Sequence, residues 1–184
     1  MRNGYTVTYQ MRKQQRQRRE KIIQYILKFV TAVFFAFIIV RFICFSYTIQ
    51  GDSMAPTFEK GEKHLVNRII YQVKKPSRYD IIVFRLDDEK NKSYYVKRVV
   101  GLPGETVEVK DGRIYINGKR TQAFSKEKIL SPGLASDKIT LKKNQYFVIG
   151  DNYNNSEDSR SASIGNVKRE NIIGKVSFKY WPWG

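Results

Sequence analysis

Charge and apolarity separate into two blocks along the first 41 positions. Residues 1–21 hold seven basic side chains (Arg2, Arg12, Lys13, Arg16, Arg18, Arg19 and Lys21) against one acid, Glu20, and the run IIQYILKFVTAVFFAFIIVRFICF follows. Residues 22–40 number 19; at a rise of about 1.5 Å per residue they nearly match a hydrocarbon core of about 30 Å. Lys28 and Arg41 bound an uncharged stretch of 12 residues, and their long side chains can lift their charges toward opposite interfaces. The pattern predicts a membrane anchor over 22–41, with the basic flank 1–21 in the cytoplasm and the domain 42–184 on the outer side. The exit RFICFSYTIQG carries no Ala-x-Ala cleavage site, so the helix reads as an uncleaved anchor and not as a removed signal.

From Phe42 onward the period changes to that of strands and turns. Runs rich in β-branched and aromatic residues predict strands over 79–86, 92–100, 106–110, 145–150 and 171–180. GLPGE at 101–105 supplies a sharp reversal, while Asp111-Gly112 and Asn117-Gly118 flank RIYI as hairpin signals, so antiparallel pairing is expected. The segment 121–143 is polar, Lys-rich and contains Ser-Pro-Gly, and is read as a loop or peripheral excursion. There is no internal repeat and no long linker. About 12 residues separate Ser53 from Arg41, which at no more than about 3.5 Å per residue keeps Ser53 near the bilayer. Trp181 and Trp183 read either as packing residues or as lipid contacts.

Composition narrows the chemistry. The 184 residues suffice for one domain plus an appendage, and 41% hydrophobic residues argue against a disordered chain. One cysteine and one histidine exclude a disulfide framework and a structural zinc site. The net charge of +17 calls for an anionic partner, nucleic acid or membrane. With +6 of it on the cytoplasmic flank and +2 from Lys28 and Arg41 in the anchor, the remaining +9 belongs to a domain held beside anionic headgroups. No zinc-finger spacing, RNP-type aromatic stretch or basic region feeding heptads is present, so no nucleic-acid partner is expected.

The stretch GDSMAPTF (51–58) raises Ser53 as a nucleophile. A serine hydroxyl needs a neighbouring base. His64, in the strand-like GEKHLVN, reads as a surface or half-buried strand residue, which leaves lysine. A lysine serves as a base only when apolar burial or a cationic neighbour depresses its pKa. In KSYYVKRVV, strand alternation puts Tyr95, Lys97 and Val99 on one face and Tyr94, Val96, Arg98 and Val100 on the other. Either Lys97 or Arg98 therefore faces an apolar layer, and alternation alone does not choose. Arginine keeps its proton, so Lys97 is the candidate base, with an ordinary outward strand lysine as the competing reading.

GDSMAPTF, RYDIIVFR, YYVKRVVGLPGE and VIGDNYNNSEDSR, in this order behind an N-terminal anchor, closely resemble the successive boxes of the bacterial type I signal peptidases. These are membrane-bound Ser/Lys endopeptidases that release exported proteins from their signal peptides. The resemblance runs from the anchor to about residue 174, and the single span and short length are similar to the Gram-positive type. It implies Ser53 as nucleophile, Lys97 as general base, Ser156 as the hydroxyl that holds the lysine amine, and Asp158 and Arg160 as supporting residues that form an ion pair. It implies a mainly β, antiparallel-rich, partly barrel-like catalytic domain, with no metal and no cofactor. The implied substrates are preprotein signal peptides ending in a small-x-small pattern, laid against a strand edge by β-addition. Ile49 and Gln50 are then candidate pocket-edge residues, and Met54 packs beside the site. Anionic lipids and the secretion machinery are the expected partners.

Three positions depart from the family pattern. Gly51 stands where part of the family has a serine that lends its hydroxyl to the oxyanion hole, leaving the Ser53 backbone N–H as a donor and the second donor open. Tyr153 and Glu157 are also unusual at their positions. Two other functions compete: a catalytically degenerate, membrane-anchored β domain that binds exported chains without cutting them, and a cytosolic Ser/Lys self-cleaving repressor. The first is disfavoured by the presence of both Ser53 and Lys97, the second by the anchor.

Overall fold

The computed structural model describes residues 3–86 and 93–181. Arg2, Lys92 and Trp183 lie outside these, as do the side chains of Lys13, Arg41 and Trp181. The chain divides into two units, 1–43 and 44–184.

The first unit is one helix, α1 (Asn3–Ile43). The helix does not begin at the apolar run but continues through the basic flank, because Gln, Arg, Lys and Glu are good helix formers and no proline interrupts them. Arg16 Nε donates to Glu20 Oε1 at 3.1 Å, one turn apart. Within it, 14–38 is long and apolar enough to cross a membrane. Phe29, Phe34, Phe35 and Phe37 are exposed, and the Thr31 hydroxyl donates back to the Leu27 carbonyl at 2.9 Å, so its polar atom is satisfied within the helix.

The second unit is mainly β, and among the described residues every pairing is antiparallel. Its strands are β1 (Cys44–Thr48), β2 (Lys63–Asn67), β3 (Ile81–Arg85), β4 (Tyr94–Gly101), β5 (Thr106–Lys110), β6 (Arg113–Ile116), β7 (Lys119–Arg120), β8 (Ile139–Thr140), β9 (Gln145–Ile149), β10 (Val167–Lys168) and β11 (Ile172–Trp181). A short helix, α2 (Ile70–Val73), follows β2. Seven strands form one sheet in the order β1-β2-β11-β3-β4-β9-β10, and four form a second in the order β7-β6-β5-β8. Among the described residues the edges of the larger sheet, β1 and β10, do not pair with each other, so the sheet is open and forms a half barrel. Both predicted hairpins form: Asp111 and Gly112 have φ of 52° and 73°, Asn117 and Gly118 of 51° and 75°, the positive values that two-residue hairpin turns require.

Three apolar clusters hold the unit together. One lies under the smaller sheet and includes Val100, Val107, Ile116 and Phe147; one includes Ile82, Phe84, Val99 and Tyr146; one includes Ile49, Met54, Val66, Val83 and Val96. Strand β4 contributes to all three, which is why it is buried for most of its length. The segment 121–143 is not peripheral. It is irregular apart from a 3-10 turn (Gly133–Ser136) and β8, yet Ile129, Ala135 and Leu141 are buried in the first cluster. Single apolar residues in irregular backbone carry no period, so the pattern concealed this.

Candidate active site

Ser53 is positioned from both sides of the chain. Before it, the ladder of β1 with β2 runs past the end of the strand: Ile49 N donates to Glu62 O at 2.9 Å and Gly61 N to Ile49 O at 2.8 Å. After it, a tight turn forms through Ala55 N to Asp52 O at 3.0 Å and Phe58 N to Met54 O at 3.0 Å. Met54 is buried to 1% exposure in the third cluster, so its side chain pins the turn and leaves Ser53 at the surface of the core.

Lys97 arrives from the centre of the sheet. It lies opposite Ile82 of β3, and its neighbour Arg98 lies opposite Ile81 of β3 and Ile149 of β9, so both are fixed by flanking strands. The choice that alternation left open has a third outcome: both faces of β4 are covered, and Lys97 and Arg98 are both buried, at 4% and 9% exposure. Each then needs a polar partner. The Lys97 ammonium Nζ donates to Ser53 Oγ at 2.7 Å, across 44 residues of sequence. Burial lowers the Lys97 pKa to about 8; the charges of Asp158 and Glu157 oppose that shift and Arg160 assists it. Near pH 8 and above, the lone pair of a neutral amine can face a serine hydroxyl at hydrogen-bond distance, the arrangement needed for proton abstraction from a nucleophile.

Arg98 has a different partner. Its Nε and Nη2 grip both carboxylate oxygens of Asp151 at 2.8 and 2.5 Å, its Nη1 donates to the Tyr79 carbonyl at 3.1 Å, and its guanidinium lies 4.1 Å from the Phe124 ring centroid. Asp151 also accepts from Thr57 Oγ1 at 2.5 Å, which ties the turn after Ser53 to the same carboxylate. Tyr79 presents its carbonyl from a left-handed conformation, φ 72°, which costs a non-glycine residue energy and is held there by its surroundings.

The loop 150–160 supports both candidates. Asp158, fully buried, accepts from Gly150 N at 3.0 Å, Ser156 Oγ at 2.8 Å, and Arg160 Nε and Nη2 at 2.8 Å each. The expected Asp158–Arg160 ion pair is present and saturated with hydrogen bonds, as a buried pair must be. Ser156 directs its hydroxyl hydrogen to Asp158. Asn152 clamps the backbone beside the nucleophile, its N–H donating to Ser53 O and its side-chain amide to Asp52 O, both at 3.1 Å. A β-carbon on Gly150 would stand 2.2 Å from Ser156 Oγ and 2.4 Å from Ser53 O, so only glycine fits there.

A cleft of about 150 Å³ opens over Ser53 and Lys97, with Ile49, Gln50, Tyr94 and Tyr95 among its walls. The two candidate edge residues therefore belong to it, Ile49 as buried floor and Gln50 exposed. His64 is neither at the surface nor half-buried: it is buried in β2, with Nε2 2.9 Å from Glu62 Oε2 and its ring 4.0 Å from that of Phe58. Tyr153 is buried, and its hydroxyl accepts from Phe124 N at 2.8 Å, anchoring the 121–143 excursion; Glu157 accepts from Ser163 Oγ at 2.5 Å. Sequence reasoning missed Gly150, Asp151, Asn152 and Thr57. Their signal was faint: VIGDN follows a predicted strand, but nothing in its spacing links it to Ser53 or Arg98.

The family model for signal peptidase, peptidase S26, matches residues 22–181. The chain belongs to that family. It is 35% identical over 182 residues to signal peptidase I S of Bacillus subtilis (strain 168), covering 94% of this chain and 96% of the relative. It is 33% identical over 183 residues to signal peptidase IB of Staphylococcus aureus (strain COL), covering 90% and 92%. A crystal structure of a signal peptidase I from Enterococcus faecalis V583 is 37% identical, covers 57% of this chain and 99% of its own, and superposes with a TM-score of 0.46. As a signal peptidase, the chain is a serine endopeptidase whose substrates are preprotein signal peptides.

Proposed function

We propose that this signal peptidase works through a Ser53/Lys97 dyad, cleaves after small-x-small sites, and does so from a single-pass anchor. Neutral Lys97 takes the Ser53 proton as Oγ attacks the scissile carbonyl, and the Ser53 backbone N–H donates to the developing oxyanion. The Lys97 ammonium then hands its proton to the leaving amine, and the acyl-enzyme is hydrolysed by a water that Lys97 deprotonates. One observation carries this reading: a buried lysine with a depressed pKa lies 2.7 Å from the serine hydroxyl. The same contact counts against a degenerate binding domain, which would have no use for so costly a burial of lysine.

The supporting residues have distinct tasks. Ser156, with its hydrogen committed to Asp158, offers oxygen lone pairs that orient the amine without adding charge beside it. Asp158 and Arg160 hold the loop and take no proton. The substrate lies extended along the cleft by β-addition, and a volume of about 150 Å³ between Ile49, Met54 and the tyrosines suits small side chains and excludes bulk.

The apolar stretch 22–41, most of which lies in the part of α1 long and apolar enough to cross a membrane, is the anchor, with the basic flank 1–21 cytoplasmic and residues 42–184 outside. Anionic headgroups and the secretion machinery are its surroundings there. The test is cleavage of a purified preprotein bearing an Ala-x-Ala site by the full-length protein in detergent, beside Ser53→Ala and Lys97→Ala. Cleavage at that site by the wild type alone is expected; turnover by either variant at the wild-type rate would refute the dyad.

A further inference from the structure

A second concavity, of about 360 Å³, lies in the same unit and takes no part in the dyad. Its walls include Ser156 and Arg160 of the supporting loop, Leu130 and Ser131 of the 121–143 excursion, and Asn154 and Ser161. The size falls in the range of ligand-holding clefts, about 300–1,000 Å³. The two wall segments are stitched together: Arg160 Nη1 donates to Ser131 O at 3.3 Å, Leu130 N to Asn154 Oδ1 at 3.0 Å, and Leu134 N to Arg160 O at 2.8 Å.

This concavity is linked to the dyad through the supporting loop: Ser156, in its wall, and Ser53 both press on Gly150, with Ser156 Oγ and the Ser53 backbone carbonyl oxygen within 2.4 Å of where a β-carbon would stand. The charges that reach the Lys97 amine, those of Asp158, Glu157 and Arg160, also come from the loop that forms this wall. The residues before the scissile bond fill the cleft at Ile49 and Gln50. The amine that leaves takes its proton from Lys97, so the chain beyond the bond passes on the Lys97 side, toward this loop. The wall it meets there is neutral, because Asp158 compensates Arg160, and hydroxyls and an amide stand beside Leu130, which is 81% exposed. An exposed leucine next to hydrogen-bonding groups suits an extended peptide with apolar or small side chains.

We infer that this concavity receives the first residues on the leaving side of the scissile bond, the new N-terminus of the released protein, and selects uncharged side chains there. The inference rests on the Ser53/Lys97 reading.

Its test uses the full-length protein in detergent and preproteins identical up to the scissile bond, with Ala, Leu or Glu as the second residue after it. Ser161→Trp, which fills the concavity, is expected to lower kcat/KM for the Leu substrate about tenfold relative to the Ala substrate. Leu130→Asp, at a side chain too exposed to affect folding, is expected to penalise the Glu substrate further. Both variants keep the wild-type preference for small residues before the bond. Unchanged relative kcat/KM across the leaving-side series in both variants would overturn the inference. In a second arm, Ser53→Ala is mixed with a preprotein carrying a photo-reactive side chain at the second leaving-side position. Crosslinks to 130–134 or 153–161 are expected, and crosslinks confined to other segments would overturn it. This arm needs no turnover, so a failed dyad and a failed leaving-side assignment give different results.

Discussion

Gly150 lies against Ser53 so closely that a β-carbon on it would stand 2.4 Å from the Ser53 carbonyl oxygen. The same carbon would meet Ser156 Oγ at 2.2 Å, so the smallest possible side chain pushes apart the nucleophile and the hydroxyl proposed to orient its base. Gly150→Ala is therefore expected to lower kcat/KM about 100-fold, the cost of a displacement near 1 Å at reacting groups. Kinetics on folded protein, checked by thermal unfolding, would show it; wild-type turnover in this variant would mean that the loop does not set the Ser53 position.

Gly51 presents the opposite case. A β-carbon there meets nothing within 4 Å, so Gly51→Ser is expected to fold like the wild type. A hydroxyl two residues before Ser53 adds an oxyanion donor of the kind found in part of the family. Since losing such a donor costs about 10²–10³ in kcat, gaining one is expected to raise kcat by up to about tenfold. A kcat equal to the wild type with the fold intact would show that the hydroxyl does not reach the oxyanion.

Lys97 also couples the site to stability. Its pKa falls from 10.5 in the unfolded chain to about 8 in the fold, so between these values the unfolded state holds more protons and stability rises with pH. Below pH 8 both states are protonated and the fold carries a buried cation at a cost of about 3 kcal/mol at most. Lys97→Met is expected to be more stable than the wild type near pH 7 by ~1–3 kcal/mol, with the gap closing toward pH 10.5. Denaturant unfolding of both proteins across that range measures it, and a gap independent of pH would mean that Lys97 is not depressed.

Much of this was legible because strands and hairpins are local. The period-2 runs marked β3, β4, β5, β9 and β11, and two X-Gly pairs marked the turns on either side of β6. Ser53 and Lys97 stood out as candidates for another reason: a serine nucleophile needs a base, the one histidine lies in a strand, Lys97 sits among aromatic and β-branched residues, and the resemblance to the signal peptidase boxes implied both roles. The supporting shell was not legible. The Arg98–Asp151 pair spans 53 residues and the Asn152–Ser53 clamp about 100, and such contacts follow from packing two strands and a loop, with no local period to announce them. Both faces of β4 proved to be buried, so alternation could not separate Lys97 from Arg98, and only their partners distinguish them.

The most direct test of the account is the pH dependence of kcat/KM for cleavage of an Ala-x-Ala preprotein by the full-length protein, with Lys97→Arg run in parallel. A lysine base whose pKa is about 8 predicts a rate that climbs tenfold per pH unit below that value and levels off above it. The arginine variant, which keeps its proton, stays inactive throughout. A profile that is flat from pH 6 to 9 while the fold is intact, or cleavage retained by Lys97→Arg, would contradict the assignment of Lys97 as the base.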